Sequence, residues 1–89
     1  MKYIKIQLNS EVWKEGNMYV SYIPQLDLSS CGNTIEEAKK NIREAVELFF
    51  EETQKMGTYQ DILKEAGFSY NKEWKAPEMI SFEKMELAF

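Results

Sequence analysis

Residues 31–52 read CGNTIEEAKKNIREAVELFFEE, and this stretch decides the fold. Its apolar residues recur at helical spacing while charged residues fill the other side, so the pattern predicts one long amphipathic helix. Thr34 and Glu37 have the spacing of a capping box, which marks the start of the helix. Gly57 has the position of a C-terminal cap. Because one stripe of the helix must be buried, we expect a sheet or another helix to pack against it.

The size and composition of the chain indicate one folded domain spanning residues 1–89. With 44% apolar and 13% aromatic residues, the chain is rich enough to form a core. Its formal net charge is −4 and its lysines are scattered, which argues against a protein that tracks nucleic-acid phosphates. The lone cysteine cannot form an internal disulfide, and neither a signal-peptide pattern nor a membrane-spanning apolar run is present. We therefore expect a cytoplasmic protein.

Outside the helix, alternation of apolar and polar residues predicts strands. Residues 2–14 predict a long first strand, residues 18–23 a second and residues 28–31 a short third. Residues 14–17 supply the turn residues of a hairpin, and Pro24 closes the second strand because proline cannot donate to a ladder. The three strands are expected to form an antiparallel meander with one apolar face against the helix.

The C-terminal third is less regular. Residues 58–66 predict a short second helix, with Thr58 repeating the capping pattern, whereas residues 68–77 have no clean period. Residues 78–87 alternate again and predict a final strand that returns to the sheet. Its apolar side shifts along its length, which indicates a bulge or contact with another subunit. The expected fold is an α+β two-layer sandwich in the order β-β-β-α-α-β.

The residue types argue against an enzyme. The chain has no histidine, which removes histidine-based general bases, nucleophile activation and metal ligation. A lone cysteine without a histidine is a poor nucleophile, and the first strand lacks the carboxylate that a two-metal nuclease needs near its middle. The glycines are spaced as turn and cap residues. We therefore expect no catalytic residue, no cofactor-binding site and no metal site.

Two segments, YVSYIPQL at residues 19–26 and SSCGNTIEEAKKNIREA at residues 29–45, resemble the HicB-like proteins. These are the antitoxin side of HicA/HicB type II toxin-antitoxin pairs. The shared pattern is an aromatic-valine strand ending in Pro-x-Leu, then Gly-x-Thr-x-Glu-Glu-Ala-x-x-Asn-x-x-Glu-Ala, and the resemblance covers roughly residues 2 to 52. It implies a partial ribonuclease H-like fold and a protein that binds and neutralises a small RNA-cleaving toxin of the HicA type. Residues 53–89 offer no basic recognition helix, so direct DNA binding is not expected.

The acidic side of the predicted helix is the candidate partner-binding surface. A basic toxin would be drawn to it by charge complementarity, which mainly raises the association rate. The candidate residues are four glutamates and two aromatic anchors, namely Glu36, Glu37, Glu44, Glu47, Trp13 and Tyr19. A homodimer or higher homo-oligomer is also expected, because a short chain buries a modest core and leaves strand edges exposed. The alternative function is a stand-alone RNA-associated or accessory interaction domain without a toxin partner.

Overall fold

The computed structural model describes residues 5–81 and 83–89. Its first layer is a three-stranded antiparallel sheet in the order β1-β2-β3, with β1 at Glu11–Glu15, β2 at Met18–Ile23 and β3 at Leu28–Gly32. Gly16 and Asn17 form the tight turn between β1 and β2, because Glu15 pairs with Met18. The predicted meander is confirmed.

The second layer is the long helix α1, Ile35–Met56, which packs on the sheet and contacts β3 most extensively. It ends at Gly57, whose φ of +72° places it in the left-handed region that glycine adopts without steric cost. The short helix α2, Tyr59–Glu65, follows after a sharp turn. The α+β arrangement of a meander, a long helix and a short helix therefore agrees with the sequence-based prediction.

A second antiparallel sheet follows, made of β4 at Ser69–Asn71 and β5 at Glu73–Lys75. It forms within the segment whose sequence has no clean period. Four aromatic and aliphatic side chains build the core beneath it, namely Phe50, Leu63, Phe68 and Trp74, each at most 8% exposed. The C-terminal half of α1 thus packs on this hairpin and on α2, while its N-terminal half packs on the meander.

The predicted first strand over residues 2–14 is shorter than expected. Of its described residues, only those from Glu11 onward join the sheet, and the start of the prediction lies outside the described residues. The reason is the length of β2: Glu11 pairs with Tyr22, and one residue past Ile23 the chain turns at Pro24. Among the described residues, the three-stranded sheet therefore has no strand long enough to pair with residues 5–9.

Residues 5–10 pack instead toward the C-terminal hairpin. Ile6 forms an isolated parallel bridge with Trp74, whose backbone N–H donates to the carbonyl of Lys5 at 2.9 Å. The Lys5 ammonium lies 3.8 Å from the Glu73 carboxylate. Leu8 joins Ile6 at the edge of the core. The apolar side chains Ile6 and Leu8 of the predicted strand therefore pack against the core that contains Trp74, and not within the three-stranded sheet.

The predicted strand over residues 78–87 is not formed in its described part. Pro77, which has no N–H to donate, packs on Gly67, where an added Cβ would lie 3.0 Å from the Pro77 Cγ. Beyond this contact the chain leaves the body of the protein. A segment whose apolar and polar residues alternate forms a hydrogen-bond ladder only when another strand lies beside it. This part of the sequence-based prediction was therefore wrong.

Candidate functional site

A close approach between β3 and α1 positions the helix. Gly32, the last residue of β3, is buried, and a Cβ added there would lie 2.7 Å from the backbone nitrogen of Ala38. Ala38 is itself fully buried, and its carbonyl accepts a hydrogen bond of 2.8 Å from the Ser21 hydroxyl on β2. Three small residues therefore let the first turn of the helix lie directly against the sheet.

Polar side chains fix the same junction. The backbone N–H of Glu37 donates to the Thr34 hydroxyl at 3.0 Å, which is one of the two bonds of the predicted capping box. One turn further along α1, the Asn41 side chain donates to the carbonyl of Cys31 at 2.8 Å. Gly32 and Asn41 of the motif thus join β3 to α1, Ala38 joins α1 to β2, and Thr34 caps the helix. Their roles are structural, so any recognition falls to the exposed residues between them.

The four predicted glutamates share one exposed surface, which we call the acidic face: Glu36, Glu37, Glu44 and Glu47. At about 100° per residue they lie within an arc of about 100° on α1, with Glu36 and Glu37 in the first turn and Glu44 and Glu47 about two to three turns further along. Within the described residues, none of the four forms an ion pair. Lys40 lies in the same arc and is outnumbered by the carboxylates. The acidic face is therefore a negative, unpaired surface.

The two predicted aromatic anchors lie on opposite faces of the sheet. Tyr19 is on the side of Ser21, next to α1, and pairs with Gly32 near the start of the helix. Trp13 pairs with Val20 on the other side, where its ring makes an edge contact with Tyr22 at 6.2 Å. Trp13 is 41% exposed. The structure therefore places Tyr19 on the face of the sheet that carries α1 and Trp13 on the opposite face.

The turn between β2 and β3 holds a carboxylate against a phenol. Asp27 takes a φ of +52°, and its carboxylate accepts a hydrogen bond of 2.8 Å from the Tyr22 hydroxyl. This hydrogen bond, then burial, then the negative charges of Asp27 and Glu11 raise the pKa of Tyr22 above its ordinary value. The contact braces the turn and the outer face of the sheet.

Sequence patterns did not indicate a large groove beside α1. It has a volume of about 1400 Å³ and lies between the helix and residues 6–10. Its apolar floor comprises Ile6, Leu8, Ile23, Ile42, Val46, Phe50 and Tyr59. Lys39, Arg43, Glu47, Glu51 and Lys55 are the charged residues that line it. The groove exists because residues 5–10 diverge from the sheet, a long-range packing outcome that alternation alone does not indicate.

Within residues 5–81 and 83–89, no group of three or more histidine, cysteine, aspartate or glutamate side chains is arranged to hold a metal ion. In the same part of the chain, no helix has both the length and the apolar character needed to cross a membrane. No family model, curated protein or solved structure matches the chain.

Proposed function

We propose that this protein is a HicB-like antitoxin that binds a small, basic, RNA-cleaving toxin in the cytoplasm and neutralises it by contact, without catalysis of its own. The observation that carries the proposal is the acidic face, with four exposed carboxylates of α1 in one arc and, among the described residues, no ion pair to neutralise them. A positively charged RNA-binding surface is its natural electrostatic complement.

The β3–α1 junction supports the same proposal. The resemblance to HicB-like proteins rests partly on a motif in which Gly32, Thr34 and Asn41 act at the start of α1 and at its contact with β3. Such residues orient α1 on the sheet, and with it the acidic face. The motif residues therefore hold α1 in one orientation on the sheet, and this orientation leaves the acidic face accessible to a partner.

Electrostatic recognition has a characteristic dependence on salt. Exposed charges attract over a screening length of about 10 Å at 0.1 M ionic strength and about 3 Å at 1 M. Association of the two proteins should therefore slow steeply as salt rises, while contacts at short range change less. The same charges should repel RNA, which distinguishes this proposal from the RNA-associated alternative.

The test is a tagged pull-down from the native organism at low and high salt, analysed for small basic proteins encoded beside this gene. The captured protein is then purified and assayed for RNA cleavage with and without this chain. We expect capture at low salt, loss at high salt and inhibition of cleavage by stoichiometric amounts of the chain. Recovery of RNA alone, or of this chain alone, would contradict the proposal.

A matched pair of variants then assigns the surface. Neutralising the acidic face with E36Q/E37Q/E44Q/E47Q should slow association about tenfold or more at low salt and flatten its salt dependence. The control E15Q/E52Q/D61N/E65Q changes the net charge by the same amount at exposed positions elsewhere. Equal effects of the two variants would show that net charge, rather than this surface, attracts the toxin.

A further inference from the structure

The C-terminal arm, residues 78–81 and 83–89, is the most exposed apolar segment of the described chain. Five of its side chains are 61% or more exposed: Met79, Ile80, Met85, Leu87 and Phe89. The radius of gyration is 15.1 Å, against about 12 Å for a compact chain of this length. The arm therefore projects from the body and leaves its apolar side chains in water.

Exposed apolar side chains concentrated in one segment indicate a surface that is covered in an assembly. The arm also alternates like a strand, although the apolar side shifts along it. Its charged residues are three glutamates and one lysine, a net charge of −2. The surface that covers it should therefore be apolar, elongated and bordered by positive charge.

The groove beside α1 has these properties. Its floor is apolar, and at one end Lys39 and Arg43 line it without an ion pair among the described residues. Glu47, in the middle of the groove, offsets one of these two positive charges, and at the other end Glu51 is paired with Lys55 at 3.6 Å, so the lining keeps a net positive charge. From Lys39 to Lys55 the groove follows about 24 Å of helix, and the arm, fully extended, reaches about 40 Å.

The outer face of the main sheet fits the arm less well. Its centre carries the exposed Trp13 and the half-buried Val20 and Tyr22, but the charged residues around it are Glu11 and Glu15. These would repel the glutamates of the arm. The groove is thus the surface whose charge and apolar character both complement the arm.

We propose that the arm of one copy occupies the α1 groove of a second copy, and that the two copies exchange arms to form a symmetric homodimer. Exchange uses the same surfaces twice, since each copy supplies one arm and one groove around a twofold axis. It covers the exposed side chains of both arms and both apolar floors at once. Glu47 belongs to both the groove and the acidic face. The dimer is nevertheless tested without any toxin, so failure of this proposal is distinguishable from failure of the proposed antitoxin function.

The experiment is sedimentation equilibrium of the full chain from about 1 to 100 µM. We expect twice the mass of the 10.5 kDa chain. Ile80→Asp with Leu87→Asp should raise the dissociation constant at least about 100-fold, because two anchoring side chains lose an apolar site. The control, Leu48→Asp with Met56→Asp, makes the same chemical change at exposed residues outside the groove and should stay within about threefold of the wild type.

A charge exchange identifies the groove as the receiving surface. K39E/R43E should weaken the dimer about tenfold at low salt, and combining it with E83K/E86K should restore most of that loss. Far-UV circular dichroism checks that every variant stays folded. A monomeric wild-type chain at 100 µM would overturn the proposal. Equal weakening by the two aspartate pairs, or no restoration by the charge exchange, would overturn it as well.

Discussion

The hydroxyl of Ser21, at the centre of the sheet, donates a 2.8 Å hydrogen bond to the backbone carbonyl of Ala38 in the first turns of α1. Both residues are fully buried. The bond ties the two layers together at a point where only small side chains fit, and it lies directly beneath the helix that carries the acidic face.

Ser21→Ala should lower the free energy of unfolding by about 1 kcal/mol, because a buried hydrogen bond is lost while the carbonyl keeps its helical partner. Chemical denaturation measures the change. The control is Ser29→Ala, an exposed serine on the neighbouring strand, which should change stability by less than about 0.5 kcal/mol. Equal losses for the two variants would contradict a special role for the Ser21 bond.

Gly32→Ala should be destabilising by about 1–3 kcal/mol, because its new Cβ would lie 2.7 Å from the Ala38 nitrogen and 2.8 Å from the Glu37 Cβ. The strain should appear in the amide resonances at the start of α1. Asn33→Ala, at an adjacent exposed position, is the control and should leave those resonances in place. A neutral Gly32→Ala would mean that the helix can move away from the sheet without loss.

The two threonines that precede the helices should respond in opposite ways. Thr34→Ala should cost about 1 kcal/mol because the Thr34 hydroxyl caps α1. Within the described residues, the buried Thr58 hydroxyl has no hydrogen-bond partner and does not cap α2. Thr58→Val should therefore be neutral or stabilising, because it removes an unsatisfied polar atom at nearly constant volume. Thermal unfolding of both variants is the measurement, and equal destabilisation would contradict the assignment.

Tyr22 should ionise at a higher pH than an ordinary tyrosine. Its pKa is raised in the folded protein, mainly because the hydroxyl donates to Asp27, so folding favours the neutral phenol. The associated stability is fully present below about pH 10, the unfolded pKa, and is lost as the pH rises through the folded pKa.

Asp27→Asn should lower the pKa of Tyr22 toward its ordinary value, because the variant removes the carboxylate acceptor and its charge. Ultraviolet titration of the phenolate, with Tyr22→Phe to assign the transition, measures it. An unchanged Tyr22 titration in Asp27→Asn would show that the hydrogen bond does not control the shift.

Local patterns predicted the parts of the fold that local physics determines. The cap at Thr34, the left-handed residue at Gly57 and the hairpin before Met18 all depend on residues a few positions apart. The first strand was predicted too long, and the last strand was wrong in its described part, for the opposite reason. Alternation shows that a segment has two sides, but whether it finds a partner depends on distant events, such as the turn at Pro24 or the contact of Pro77 with Gly67.

The candidate surface was predictable to a similar extent. Helical spacing alone placed the four glutamates on one side of α1. It did not place Tyr19 and Trp13, because their separation follows from the register of β1 with β2. The Thr58 cap failed since its hydroxyl is enclosed by packing that the capping pattern does not describe. The groove was missed because it lies between segments far apart in sequence.

The divergence of residues 5–10 from the sheet divides the molecule into two packed units that share α1. The meander and the first turns of the helix form one, and the core around Trp74 and Leu63 forms the other. Beyond α1, the parallel bridge at Ile6 is a backbone link between them. Amide hydrogen exchange should therefore show the C-terminal unit opening at lower free energy than the meander, because its hairpin is short. A protease would then remove the last third of the chain while the β3–α1 junction stays closed.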